Sequence, residues 1–219
     1  MSRPLLLGHR GARAIRSIPE NTIESFDLAL AHGCDGFEFD VRQTADGRAV
    51  ICHDPVVHGI EVARAGSDDL QDLPVLQQVL ARYSQTAFLD IEVKVPDLEA
   101  TVLEALESHP VQRGYVVSSF LPEVLLALRR LDRETPLGLI CEDRPQLAAW
   151  KQLAIQFVMP HYSLVDAAVC QLLRAAGKQV LVWTVNRRDE MLNLTSWGVD
   201  GIISDDTKLL LEVLRPPKA

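Results

Sequence analysis

Long apolar runs, clustered cysteines, an excess of positive charge and a glycine-rich nucleotide loop are all missing from this sequence, and each absence excludes a class of function. After Met1-Ser2-Arg3-Pro4 the chain enters Leu5-Leu6-Leu7, a run too short for a secretory core or a membrane span. A soluble, cytoplasmic protein with no transmembrane segment is expected. Cys34, Cys52, Cys141 and Cys170 are scattered, with no Cys-x-x-Cys and no zinc spacing. Cys52 lies in an apolar strand-like run and Cys34 at a strand start, so reduced core thiols are expected. The formal net charge of −8 and the pI near 5.2 argue against a broad nucleic-acid or anionic-membrane surface. They leave room for a small anionic substrate, because a metal or a few placed cations reverses the sign locally. No Gly-x-Gly-x-x-Gly turn follows any strand, which counts against a doubly wound nucleotide-binding sheet.

What is present is a regular alternation. With 219 residues, 47% of them hydrophobic, the chain can bury a full core, and one α/β domain over residues 1–219 is expected. Apolar runs of strand length fall at 5–8, 37–41, 49–52, 87–95, 115–119, 137–141, 155–159, 179–184 and 201–204, with helical patterns between most of them. Asn21 reads as a helix N-cap with Glu24 three residues on, and Pro74 as the first-turn proline of a helix reaching Tyr83. Residues 54–73 lack a clean period and read as a short insertion loop. Asp46-Gly47 signals a hairpin that returns through Ala49–Cys52. Setting that antiparallel return aside leaves eight strands for a parallel sheet, the count of a (β/α)8 TIM barrel with a β-hairpin after its second strand.

Such barrels carry their chemistry at the C-terminal ends of the strands. In Phe37-Glu38-Phe39-Asp40-Val41 the apolar side chains share one face and the acids the other. A hairpin turn centred on Ala45-Asp46 or Asp46-Gly47 sets His53 opposite Glu38 or Asp40. His9 and Arg10 end the first strand, and Glu92 and Lys94 share a face of the fourth run. Ionisable groups inside strands this apolar are costly unless paired or bound to a cation. Glu38, Asp40 and Glu92 offer hard oxygen donors suited to one divalent cation, Mg²⁺ or Ca²⁺, and ill-suited to zinc. The rival account is a network of buried salt bridges with Arg10, Arg42 and Lys94 as counter-ions. Two histidines beside a cation suit phosphate-ester chemistry, one taking a proton from the attacking oxygen and the other giving one to the leaving oxygen. His32, His58, His109 and His161 are read as structural.

The blocks His9-Arg10-Gly11, Pro19-Glu20-Asn21-Thr22, Glu38-Phe39-Asp40-Val41, Thr44-Ala45-Asp46-Gly47, His53-Asp54, Glu92-Val93-Lys94, Ser118-Ser119-Phe120, Trp183-Thr184-Val185-Asn186 and Asp200-Gly201-Ile202-Ile203 span nearly the whole chain. In that order they resemble the glycerophosphodiester phosphodiesterase family. The resemblance implies a metal-dependent TIM-barrel hydrolase that cleaves glycerophosphodiesters to sn-glycerol 3-phosphate and an alcohol. It implies Glu38, Asp40 and Glu92 as metal ligands and His9 and His53 as general acid and base. Arg10 and Lys94 would contact the phosphate and Trp183 the glycerol, with Glu20, Asn186 and Ser119 in supporting places. It also implies attack by the neighbouring glycerol hydroxyl, giving a cyclic phosphate that water then opens. The chain departs from the family after His53-Asp54, where the usual Arg-Thr-Thr and Gly-rich stretch is lacking, and at Ser204-Asp205-Asp206-Thr207, where the family tends to have Thr-Asp-x-Pro. A trimmed insertion implies a more open site over the alcohol moiety.

Two rivals remain. One keeps the fold and changes the substrate: a lysophospholipase D or sphingomyelinase-D-like enzyme, disfavoured by the lack of an amphipathic basic helix. The other is a non-catalytic barrel that binds phosphodiesters, disfavoured by the joint presence of His9, His53 and all three acids. A small-molecule substrate is the expected partner, and a homodimer is left open.

Overall fold

The computed structural model describes residues 3–215 of the chain. Strands and helices alternate in the order β1 (Leu5–Gly8), α1 (Ile23–Ala31), β2 (Gly36–Gln43), β3 (Ala49–Ile51), β4 (Val56–Val57), β5 (Ile60–Glu61), α2 (Leu76–Tyr83) and β6 (Phe88–Val93). They continue with α3 (Glu99–Ser108), β7 (Tyr115–Ser119), α4 (Pro122–Leu131), β8 (Leu137–Cys141), α5 (Arg144–Ala148), β9 (Phe157–Pro160), α6 (Ala167–Ala175), β10 (Gln179–Val182), α7 (Arg188–Trp197), β11 (Gly201–Ser204) and α8 (Thr207–Leu214). Neighbouring strands run β1-β11-β10-β9-β8-β7-β6-β2, and β1 also pairs with β2, so the parallel sheet closes on itself. This is a (β/α)8 barrel, with β3 lying antiparallel on the outer end of β2.

Aromatic packing decides which way β2 faces. Phe37 stacks on Phe26 of α1 at 4.3 Å between ring centroids, Tyr83 of α2 meets it edge-on at 4.9 Å, and Phe39 lies against both phenylalanines. Burying Phe37, Phe39 and Val41 between sheet and helices is worth about 1.5–3 kcal/mol each. A one-residue slip would exchange that face for the other. The alternate residues Glu38 and Asp40 are therefore driven into the lumen. Gly36 lets β2 approach β6 closely, since a Cβ there would lie 1.8 Å from the Phe88 carbonyl oxygen. Below the acids the lumen is filled by Leu7, Phe88, Val116, Phe157, Leu181 and neighbours, a dry floor beneath a polar mouth.

Four local expectations need correction. The hairpin is a three-residue loop rather than a two-residue turn. Gly47 N–H donates to Thr44 O, Thr44 N–H donates to Arg48 O, and Gly47 takes the left-handed φ of 84° that this loop requires. Val41 then pairs with Ile51, which projects His53 opposite Phe39 and not opposite Glu38 or Asp40. The strand ends at Ile51, however, and the chain leaves the ladder, so His53 is free of that register. Secondly, the N-cap of α1 is Thr22, not Asn21: its hydroxyl accepts from Ser25 N–H at 3.2 Å. Thirdly, Pro74 precedes α2 as extended chain, its carbonyl accepting from Ile51 N–H. Lastly, residues 54–73 are not all loop. They hold β4, β5 and two short 3-10 turns, and Val62, Ala65 and Leu70 pack with Val50, Cys52 and Val75 into a small core of their own. The pieces are too short to show a period in sequence. All four cysteines are free and buried, as expected.

Candidate active site

The parallel register lays β2 beside β6 so that Glu38 faces Asp90 and Asp40 faces Glu92. Glu38, Asp40 and Glu92 each bring a carboxylate oxygen within 4.8 Å of the other two, and all three are buried. Asp40 is held from three sides. Asn21 Nδ2 donates to its Oδ2 at 2.8 Å, Arg10 Nε lies 3.1 Å from the same oxygen, and Lys94 Nζ lies 3.2 Å from Oδ1. Lys94 also donates to Glu92 Oε1 at 2.5 Å. Glu38 Oε2 accepts the backbone N–H of Arg10 at 2.9 Å. To aim that N–H inward, Arg10 takes a left-handed φ of 50°, and Asn21 is at 58°. Such strain in non-glycine residues collects at functional sites.

Burial and mutual repulsion push Glu38 well above the usual carboxylate range and raise Glu92 to about 7. Burial also acts on Asp40, but Lys94, Arg10 and the Asn21 hydrogen bond outweigh it and hold the group below its ordinary value. The salt-bridge account fails on charge and on geometry. Three carboxylates face two cations, because Arg42 donates instead to the His53 carbonyl. Glu38 Oε1 lies buried without a hydrogen-bond donor, and Asp40 Oδ1 has only the Lys94 ammonium, 3.2 Å away. Buried anionic oxygens left in that state are costly, and a hard divalent cation satisfies them. The donor set therefore fits such an ion.

Asp90 belongs with these acids, and reading the sequence missed it. It is fully buried, its Oδ1 accepts from Ser118 Oγ at 2.6 Å, its Oδ2 has no partner, and burial raises it to about 8. The signal was available, since Asp90 stands two residues before Glu92 and so on the same strand face. In metal-free protein Asp90 and Glu92 hold protons that the unfolded chain releases near pH 4. Between that pH and 7–8 the folded state binds more protons, so stability falls as pH rises. The melting temperature in EDTA is expected to drop by on the order of 5 °C from pH 6 to pH 8. The slope should be shallower in Glu92→Gln. A flat profile by calorimetry would contradict it.

His9, Arg10, Glu38, His53, Glu92, Lys94 and Trp183 line one cavity of about 420 Å³ at the C-terminal mouth of the barrel. His9 Nδ1 lies 2.7 Å from Asp205 Oδ1 and its Nε2 3.7 Å from Glu38 Oε2. Burial lowers the His9 pKa, against the raising effect of Asp205. Asp205 is fixed in turn by Asn186 Nδ2 at 2.6 Å and by Arg13. His53 is half-exposed at the rim, with Nδ1 2.7 Å from Asp54. Trp183 donates its indole N–H to Met159 O and meets Phe120 edge-on.

The supporting residues divide. Glu20 accepts from Arg10 at 2.6 Å and pairs with Arg13, so it orients a cation without lining the cavity. Asn186 holds Asp205. Ser119 does neither: its hydroxyl bridges Val93 O and Leu121 N–H, tying β7 to β6 away from the cavity. Among the remaining histidines, His58 pairs with Asp72 at the surface and His32 with Thr207.

A family-level sequence profile described as the glycerophosphoryl diester phosphodiesterase family matches residues 9–102 and 82–209. A glycerophosphodiester phosphodiesterase of Caldanaerobacter subterraneus subsp. tengcongensis is 26% identical, over 97% of this chain and 98% of the relative. Among solved structures, the glycerophosphodiester phosphodiesterase of Thermotoga maritima superposes with a TM-score of 0.84 at 23% identity, over 97% of this chain and 99% of that one. An Oleispira antarctica phosphodiesterase, solved with its product sn-glycerol-3-phosphate, gives 0.81 at 26% identity and 96% coverage of both chains.

Proposed function

This chain belongs to the glycerophosphoryl diester phosphodiesterase family and is a phosphodiester hydrolase; from that premise we propose that it cleaves glycerophosphodiesters to sn-glycerol 3-phosphate and an alcohol by two-histidine acid–base catalysis. The observation that carries this reading is the one cavity lined by His9, His53, Glu38 and Glu92, the last two clustered with buried Asp40. Glu38, Asp40 and Glu92 would hold a divalent cation, Mg²⁺ or Ca²⁺. When bound, that ion neutralises charge on the non-bridging phosphate oxygens. Arg10 and Lys94 line the same cavity and add positive charge toward the phosphate.

The two imidazoles differ in setting, which supports different roles. Nδ1 of His9 faces the Asp205 carboxylate, which lies below its ordinary pKa through the hydrogen bonds of His9 and Asn186 despite burial. That partner places the ring proton on Nδ1 and leaves the Nε2 lone pair facing the cavity. His9, buried and biased toward neutrality, is the general base that takes the proton of the attacking hydroxyl. His53, at the rim with Asp54 behind it, donates the proton to the departing alkoxide. Trp183 supplies an apolar face for the glycerol. The four buried free thiols support a reducing, cytoplasmic setting, and among the described residues no helix is long and apolar enough to cross a membrane.

The test is turnover of glycerophosphocholine, glycerophosphoethanolamine, glycerophosphoglycerol and lysophosphatidylcholine with Mg²⁺ or Ca²⁺, read by glycerol 3-phosphate release and phosphorus NMR. Glycerol 3-phosphate from the first three supports the reading; lysophosphatidic acid from the last alone would replace it with a lysophospholipase D. Asp205→Asn is expected to lower kcat by roughly 10²-fold with little change in KM. Losing the carboxylate also removes what raises the His9 pKa, so the acid limb of the pH profile should move to lower pH. A variant with unchanged rate and profile would remove Asp205 from the mechanism.

A further inference from the structure

The cavity has a second pole that the reaction just described leaves unused. From the carboxylates of β2 and β6 it extends to the end of β8, two strands round the barrel from β6, where Glu142 and Gln146 line it. Phe120, Met159 and Trp183 line the same cavity, with the rings of Phe120 and Trp183 perpendicular and 5.4 Å apart. Glu142 is held at its backbone, where its N–H donates to Gln146 Oε1 at 2.8 Å. Its carboxylate has no ion pair or hydrogen bond among the described residues. Every other acid lining this cavity is engaged: Glu38 by the Arg10 N–H, Asp90 by Ser118 and Glu92 by Lys94. Glu142, exposed at the edge of the cavity, is thus the one acid lining it whose carboxylate has no partner among the described residues.

We infer that Glu142, together with the ring of Phe120, is a subsite for a cationic group on the alcohol arm of the diester, so that ammonium-bearing head groups are preferred over uncharged ones. The inference rests on the phosphodiesterase reading above. With the phosphate at the carboxylate end, an ester arm that reaches Glu142 shares the cavity with Phe120, which directly follows the neighbouring strand β7. The Phe120 ring attracts a cation through its face, and the Glu142 carboxylate supplies the opposite charge. Lys94 already shows that a cation fits against this ring, its Nζ lying 5.6 Å from the centroid of Phe120. A cavity of about 420 Å³ has room for a small diester spanning both poles.

The experiment compares kcat/KM of the cation-loaded enzyme for glycerophosphocholine, glycerophosphoethanolamine and glycerophosphoglycerol, in the native chain, Glu142→Gln and Glu142→Lys. The native chain should prefer the two ammonium substrates by roughly fivefold or more, with the preference fading at high ionic strength. Glu142→Gln should cost those two about fivefold through KM while moving glycerophosphoglycerol less than about twofold, and Glu142→Lys should reverse the order. No preference in the native chain, or an equal loss on all three substrates, would overturn the subsite and leave the phosphodiesterase reading standing. Turnover of none of the three would overturn that reading, and the subsite with it.

Discussion

Stripping the divalent cation with EDTA is expected to lower phosphodiester turnover by at least about 10³-fold, with recovery on adding Mg²⁺ or Ca²⁺. Without the ion the reacting phosphate would meet Glu38, Asp40 and Glu92 with only Arg10 and Lys94 to balance them. A diester anion would be repelled by the same carboxylates that are meant to organise its binding. Glu38→Gln should have a similar effect on rate, because it removes a charged donor from the cation set while keeping its size. Stability should move differently. Glu38 lies well above the ordinary carboxylate range because of burial and the charges of Asp40 and Glu92. A glutamine imitates the protonated form that the metal-free protein already favours, and its amide oxygen can still accept the Arg10 N–H. In EDTA the variant should therefore melt at the same temperature as the native chain or higher, and the gain should be largest at pH 8. Added cation should stabilise the native chain more than the variant. Activity indifferent to EDTA would remove the metal assignment. A variant that loses several degrees in EDTA would restore the salt-bridge account.

The parts of this site that follow from a strand's period were open to reading in the sequence. Alternation alone sorts Phe37, Phe39 and Val41 from Glu38 and Asp40, and the strand count closes the barrel that brings Glu92 beside them. What could not be read depends on local geometry that side-chain periodicity does not carry. The hairpin register differs by one residue from both two-residue alternatives because Gly47 closes a three-residue loop, and His53 reaches the mouth only by leaving the strand. Asn21 looked like a helix cap because Asn, Thr and an acid stand in sequence. The hydroxyl next door does the capping, which frees the amide for Asp40. Asp90 was hidden inside an apolar strand whose end already carried two more obvious charges. Contacts between residues far apart in sequence, such as His9 with Asp205 across 196 positions, have no local signature at all.

Replacing either histidine by alanine is expected to lower kcat by roughly 10²–10⁴-fold, the span of a lost general acid or base, and the two losses should differ in what rescues them. His53 stands at the rim, half-exposed beside Asp54, where a small buffer acid can approach. His9 is nearly enclosed between Asp205 and Glu38, with Gly8 and the Arg10 turn behind it, and offers exogenous bases little access. Added imidazole should therefore restore part of the rate of His53→Ala and little of that of His9→Ala. A second separation comes from the leaving group. If His53 protonates the departing alkoxide, a diester with an acidic alcohol such as p-nitrophenol needs no such help, and His53→Ala should retain most of its rate on that substrate. His9→Ala should stay slow on both, because the attacking hydroxyl must still lose its proton whatever alcohol departs. The double variant should be little worse than His9→Ala on the activated substrate, since the step served by His53 is no longer limiting there. Equal losses for both variants on activated and ordinary diesters would undo the assignment of base to His9 and acid to His53. A full-rate single variant would remove that histidine from the chemistry altogether.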